Sequence, residues 1–278
     1  MPNKKFPACP VAVITGASAG LGAVIASRLH REGYQIVLVG RNRESLILAT
    51  QHWNCSTGPA PLPLACDVTD AAQVQHLVAE VAKQYGRLDV LVNVVGQSDR
   101  GLIADLQTDH LRQLLETNLM ATLLCSQACL PMLEQSRGVI VNIGSLASKV
   151  GARYLGGYPA AKHALAGLTQ QMRLEWKPRG VHVGLLNPGP IQRQDAGSRY
   201  EKQVRAGGEL PAQATRPGGG TCVKGLPPEQ VANAVLRLIR RRTADVLLPG
   251  YLRPLVAVGH LWPRLGDWLL LKFTSSGN

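Results

Sequence analysis

Tyr158 and Lys162 stand four residues apart in GGYPAAKHALAG, a stretch whose pattern predicts the start of a helix. Side chains at i and i+4 share a helix face. A phenol ordinarily titrates near pH ~10, which makes it a poor proton shuttle at neutrality. The spacing alone does not say what a lysine one turn beyond it would do for such a phenol. A second constellation, Thr15-Gly16-Ala17-Ser18-Ala19-Gly20-Leu21-Gly22, runs from an apolar stretch into a helical pattern. Glycines there let backbone N–H groups approach a pyrophosphate at a helix amino terminus. A turn that needs its glycines only for shape is the ordinary alternative.

Two further apolar stretches end in polar residues. The first closes with Val39-Gly40-Arg41-Asn42. Dinucleotide sites that read a ribose 2′-hydroxyl place an acid near here, and those that accept a 2′-phosphate use an arginine. No acid is present, so Arg41 favours NADP(H) over NAD. The next closes with Cys66-Asp67-Val68. Asp67 could cap the helix that starts near Asp70 or accept a hydrogen bond from an adenine amine. The spacing leaves both open.

These residues need elements to hold them. Apolar patterning predicts strands at Val11–Thr15, Ile36–Gly40, Leu62–Asp67, Val90–Val94, Val139–Ile143, Val181–Leu186 and Asp245–Leu248. Helical patterns fall between them at Ala19–Glu32, Arg43–His52, Asp70–Tyr85, Asp109–Leu133, Pro159–Lys177 and Pro228–Arg241. Strands rich in Val, Ile and Leu without polar alternation are covered on both faces. The expected fold is α/β, a doubly wound parallel sheet of the Rossmann type, with about seven strands and helices on both faces. Right-handed crossovers then bring the strands' carboxyl ends, and every motif above, to one ligand-binding edge. Pro159 fits only if the helix begins beside it, so Gly156 and Gly157 are expected to be non-helical.

Together the residues resemble the short-chain dehydrogenase/reductase family in its single-domain form, over roughly residues 10–250. The resemblance rests on the glycine motif, Asp67-Val68, Asn93-Val94-Val95-Gly96, Asn118, Ser145, Tyr158-Pro159-Ala160-Ala161-Lys162 and Asn187-Pro188-Gly189, in matching order and separation. It implies a catalytic set of Asn118, Ser145, Tyr158 and Lys162. Tyr158 would be the general acid/base and Ser145 would orient the reacting oxygen. Lys162 would lower the tyrosine pKa and hold the nicotinamide ribose, and Asn118 would hold a water linking Lys162 to solvent. Gly16, Ser18, Gly20, Leu21, Gly22, Arg41, Asp67, Val68, Asn93, Gly96, Tyr158, Lys162, Pro188, Gly189 and Ile191 would bind the cofactor, with no metal. The implied reaction moves a hydride between nicotinamide and a carbonyl or secondary alcohol.

Two segments depart from the family pattern. Val94-Val95 replaces Asn-Ala and makes that wall bulkier, and Gln192-Arg193 stands where a threonine is usual. These departures motivate a second reading, a nucleotide-binding scaffold or sensor with vestigial redox activity. The intact Tyr158, Lys162, Ser145 and Asn118 argue against it.

The 278 residues suit one domain, residues 1–250, with a lid insertion at about 192–228 and an extension at 251–278. The net charge of +12 is spread along the chain, with no aromatic-basic surface motif for nucleic acid. Six cysteines form no C-x-x-C pair and read as small buried residues of a reduced, cytoplasmic protein. The first apolar stretch is too short for a signal segment and reads as a strand. The family implies a homodimer or homotetramer built on helices 109–133 and 159–177. The extension is broken by Pro254, Pro263, Arg264 and Asp267, so it cannot span a bilayer. Packing on the domain or on a partner subunit is the favoured reading for it. Peripheral membrane contact through residues 252–273 is the other.

Overall fold

The computed structural model describes residues 9–51, 53, 60–192, 201, 204, 210–215, 218, 220, 221 and 223–274. Seven strands form one parallel sheet: β1 (Val11–Thr15), β2 (Gln35–Gly40), β3 (Leu62–Ala65), β4 (Val90–Asn93), β5 (Val139–Ile143), β6 (His182–Pro188) and β7 (Asp245–Leu248). Their order is β3-β2-β1-β4-β5-β6-β7. The chain reverses its direction of winding between β1 and β4, which opens a crevice at their carboxyl ends.

Helices cover both faces. They are α1 (Gly20–His30), α2 (Arg43–Leu48), α3 (Ala71–Tyr85), α4 (Thr108–Leu115), α5 (Ala121–Ser136), α6 (Tyr158–Trp176) and α7 (Pro228–Arg241), followed by α8 (Leu252–Leu261) and α9 (Pro263–Thr274). One core layer joins Ile14, Ile36 and Val92 to Ile25 and Leu29 of α1 and Val231 and Val235 of α7. The other joins Val13, Val37 and Leu91 to Leu77 of α3, Leu133 of α5 and Met172 of α6. The central strands β1, β2, β4 and β5 lack polar alternation because both of their faces are covered.

The predicted helix 109–133 is not continuous. Glu116–Met120 is a π turn between α4 and α5, in which Ala121 N–H donates to the Glu116 carbonyl five residues back. Such widened turns concentrate at functional sites. Two strands end earlier than predicted. The Val94 N–H is taken by the Thr15 hydroxyl at 3.0 Å, which stops β4 at Asn93. The Asp67 carboxylate accepts from Thr69 N–H at 3.0 Å and from its hydroxyl at 2.7 Å, so the chain turns after β3. The helix cap belongs to Asp70, whose carboxylate accepts from Ala72 and Gln73 N–H. α2 also ends sooner, at Leu48 rather than His52.

Cys66, Cys125 and Cys129 are buried, and burial pushes the Cys129 thiol up to about 12. Cys9, read from sequence as buried, is exposed. Most of the expected lid, including Arg193, lies outside the described residues. Its two ends are pinned together, with Gln192 N–H donating to the Leu226 carbonyl and Leu226 N–H to the Pro190 carbonyl.

Candidate active site

A cleft of about 1220 Å³ lies along the carboxyl ends of the strands. One end is built by the loop between β1 and α1. Gly16 and Gly20 have φ of +66° and +57°, conformations that favour glycine. A Cβ on Gly22 would lie 2.1 Å from the Gly16 carbonyl oxygen, so the helix can start this close to the loop only without a side chain. α1 begins with no side-chain cap and no acid in its first turn. Its amino terminus lines the cleft through Leu21 and Gly22, with Gly16 and Ser18 beside them. Uncapped N–H groups carrying the positive end of a helix dipole suit a phosphate. The residues present therefore fit a dinucleotide.

Arg41 and Asp67 stand on the same wall. Hydrogen bonds from Thr69, reinforced by the charge of Arg41, hold the Asp67 carboxyl below its ordinary range. Val68, Gly96, Pro188, Gly189 and Ile191 also line the cleft, as do Val94 and Val95. Gly16 faces Val95 closely, since a Cβ there would meet Val95 Cγ2 at 3.2 Å.

The Tyr158 end is built by α6. Ala161, Lys162, Leu165, Thr169, Met172 and Trp176 form its buried stripe. Lys162 is the one charge on that stripe and is 4% exposed. Its ammonium donates to the Ile143 carbonyl at 3.1 Å and lies 5.8 Å from the centre of the Tyr158 ring. Burial brings the Lys162 pKa down to about 8. Tyr158 opens the helix, with Pro159 in the first turn, and both Tyr158 and Lys162 line the cleft. Gly156, before it, has φ of +50°, and Gly157 is the N-cap.

Ser145, just past β5, caps the short turn Leu146–Ser148. Its oxygen accepts from Ala147 N–H at 3.1 Å, which leaves the hydroxyl proton to donate into the cleft.

Asn118 and Asn93 do not stand on the cleft wall. Asn118 is fully buried in the π turn. Its amide donates to the carbonyls of Gln97 and Leu114, and its oxygen accepts from Gln97 N–H. Both protons of the Asn118 amide are thus spent on backbone carbonyls. A Cβ on Gly96 would lie 2.8 Å from Asn118 Oδ1 and 3.1 Å from Lys162 Nζ, so these groups flank one glycine. The Asn93 amide donates to Ser126 Oγ and Asn142 Oδ1, and Asn142 donates to Thr169 Oγ1 on α6. That buried chain ties α6 to β4 and β5.

Asp99 was missed from sequence. Its carboxylate accepts from Gly157 N–H at 2.9 Å, directly before Tyr158, and from Arg100 N–H at 2.8 Å. His110 Nε2 lies 2.9 Å from Asp99 Oδ1, the oxygen that also accepts from Arg100 N–H. A Cβ on Gly156 would fall 2.1 Å from Asp99 Oδ2. The separation of 58 residues from Gly157 left no local signal. The tail residues Leu252, Val256, Leu269 and Leu270 also line the cleft, in keeping with the expectation that the tail helps set the pocket.

The family profile for short chain dehydrogenases matches residues 10–204. The chain is 31% identical to dehydrogenase/reductase SDR family member 7B of Danio rerio, over 92% of this chain and 82% of that protein. It is 37% identical to an uncharacterised oxidoreductase of Staphylococcus aureus over 65% of this chain and 78% of that one. Among solved structures it resembles an actinorhodin polyketide ketoreductase with NADPH, at a TM-score of 0.75 and 30% identity, covering 87% of this chain and 96% of that one. An alcohol dehydrogenase of Thermococcus sibiricus, complexed with 5-hydroxy-NADP, gives a TM-score of 0.71 and 26% identity over 86% and 96%. The seven-stranded parallel sheet, the glycine loop and this match over most of its length carry one conclusion: the chain belongs to the short-chain dehydrogenase family of oxidoreductases.

Proposed function

We propose that the protein is an NADP(H)-dependent reductase of carbonyl compounds, with Tyr158 as its general acid/base. The observation that carries this reading is the buried ammonium of Lys162 beside the Tyr158 ring, on the wall of the cleft that the glycine loop opens. When bound, the nicotinamide supplies or takes up the hydride.

The chain's own residues do the rest. The amino terminus of α1, with Gly16, Ser18, Gly20, Leu21 and Gly22, receives the pyrophosphate. Arg41 pairs with the 2′-phosphate, because β2 closes on Val39-Gly40-Arg41-Asn42 with no carboxylate there to meet a 2′-hydroxyl. Asp67 and Val68 border the adenine, and Gly96 leaves backbone room beside it. Pro188, Gly189 and Ile191 shape the nicotinamide end.

Ser145 donates its hydroxyl proton to the substrate oxygen and turns that oxygen toward Tyr158. Tyr158 gives up its phenolic proton as charge develops there. The Lys162 ammonium stabilises the phenolate left behind and holds the nicotinamide ribose hydroxyls. Donors placed where negative charge develops usually make the largest contribution to the rate. Asn118 acts as a positioning residue. Its amide locks Gln97 and the π turn beside Lys162.

Consumption of NADPH with a panel of ketones and aldehydes tests the reading, with Tyr158→Phe as control. Turnover that falls about 10³-fold in the variant, with NADPH binding retained, supports it. Nucleotide binding without turnover on any substrate would point instead to a sensor.

A further inference from the structure

The reductase reading leaves one wall of the cleft unexplained. α8 and α9 fold back on each other at Trp262 and Pro263. They cross so closely that a Cβ on Gly266 would lie 2.7 Å from the Gly259 Cα. The hairpin is tied to the sheet edge by His260 Nε2, 2.8 Å from the Lys149 carbonyl, and by Lys149, which pairs with Asp245 at 2.7 Å.

The hairpin carries two sets of apolar side chains. Leu252, Val256, Leu269 and Leu270 line the cleft. Leu261, Trp262, Leu265, Trp268 and Leu271 do not line it, and their exposure runs from 44% to 70%. Single exposed apolar residues are ordinary, but five within one short hairpin form a patch that needs an occupant. Arg264 and Lys272 are exposed among them, and Lys272 Nζ lies 4.9 Å from the centre of the Trp268 ring. The only acid in residues 250–274, Asp267, lines the cleft instead.

We propose that this hairpin docks on an anionic lipid bilayer and lies in the plane of its headgroups. The substrate drawn in beside it is then a carbonyl compound with a long apolar body. Only the substrate class rests on the reductase reading. The helices have 10 and 12 residues, or roughly 15 and 18 Å, too short for a hydrocarbon core of about 30 Å. Among the described residues no helix is long and apolar enough to cross a membrane. Tryptophan and leucine with interleaved Arg and Lys are the side chains that settle at a lipid–water boundary. Charge decides between this occupant and a second copy of the chain. Another chain of net charge +12 would meet the patch with the same Arg264 and Lys272, whereas anionic headgroups neutralise them.

Co-sedimentation of the full chain with phosphatidylcholine vesicles, with and without phosphatidylserine, tests the surface. The expected result is binding that requires phosphatidylserine and weakens with added salt. The double variant Trp262→Ser/Trp268→Ser should lower vesicle affinity by about tenfold or more while leaving turnover of a small water-soluble ketone unchanged. Arg264→Glu/Lys272→Glu should abolish the binding that phosphatidylserine confers, and guards against misfolding of the tryptophan variant. Absence of binding, or equal binding by wild type and both variants, overturns the proposal. So does a change from dimer to monomer in the tryptophan variant with vesicle binding intact, which would make the patch a contact between copies. Binding is read without cofactor, so a protein that docks but turns over no ketone would sink the reductase reading alone.

Discussion

The Lys162 ammonium lies 5.8 Å from the centre of the Tyr158 ring, on the buried face of α6 whose other members are uncharged. Burying this charge costs stability, and the cost is visible in a pKa of about 8 against an ordinary 10.5. A polar group kept at such a cost points to function rather than folding.

That cost gives a pH prediction. Lys162 binds its proton less tightly folded than unfolded, so the unfolded state holds more protons between pH 8 and 10.5 and stability rises across that window. Below pH 8 the full penalty applies. Lys162→Met should therefore melt at a higher temperature than wild type at pH 7. The gain is at most on the order of 3 kcal/mol, less what the Ile143 carbonyl loses as its partner goes. Melts at pH 7 and above pH 10 check this, and the gap between the two proteins should close at the higher pH. Activity should be lost at both.

Arg41 should decide between the two nicotinamide cofactors. On the proposed reading, Arg41→Ala removes a guanidinium placed to meet the 2′-phosphate, and charge-assisted bonds of that kind are worth about 1.5–3 kcal/mol. KM for NADPH should rise by about tenfold or more, and KM for NADH should stay within about twofold. Steady-state kinetics with both cofactors measure it. An equal change for both would remove Arg41 from the 2′-phosphate site.

Asp99 should matter to catalysis without touching substrate. Asp99→Ala strips the acceptor from Gly157 N–H, next to Tyr158, and from Arg100 N–H. Leaving buried donors unpaired costs about 1–3 kcal/mol each, so the melting temperature should fall. The further expectation is a kcat reduced by about tenfold with KM for NADPH unchanged. Asp99→Asn keeps an oxygen for Gly157 and should recover most of kcat. A variant that loses stability alone would leave Asp99 with a folding role only.

The strand-end motifs were legible because chemistry and local pattern coincide there. Gly16, Arg41, Ser145 and Pro188 each close an apolar run, and an all-parallel sheet brings such ends together. What escaped was set by tertiary contact. The π turn at Glu116–Met120 has the composition of an ordinary helix, and its widening is tied to Asn118 bonding across to Gln97. Asn93 was read as a cofactor contact, but its amide meets Ser126 and Asn142, partners that no local spacing announces. The tail was read as apolar and basic, yet its fold into a hairpin over the cleft depends on the close pass of Gly259 and Gly266.

Ultraviolet difference titration of Tyr158 reads the account's main claim most directly. Wild type and Lys162→Met are each referenced to the same protein carrying Tyr158→Phe. In wild type the phenolate should appear below about pH 8, while the Lys162 ammonium still holds its proton, and nearer pH ~10 when methionine replaces it. If the two proteins ionise Tyr158 at the same pH, Lys162 does not tune the phenol and the acid/base assignment fails.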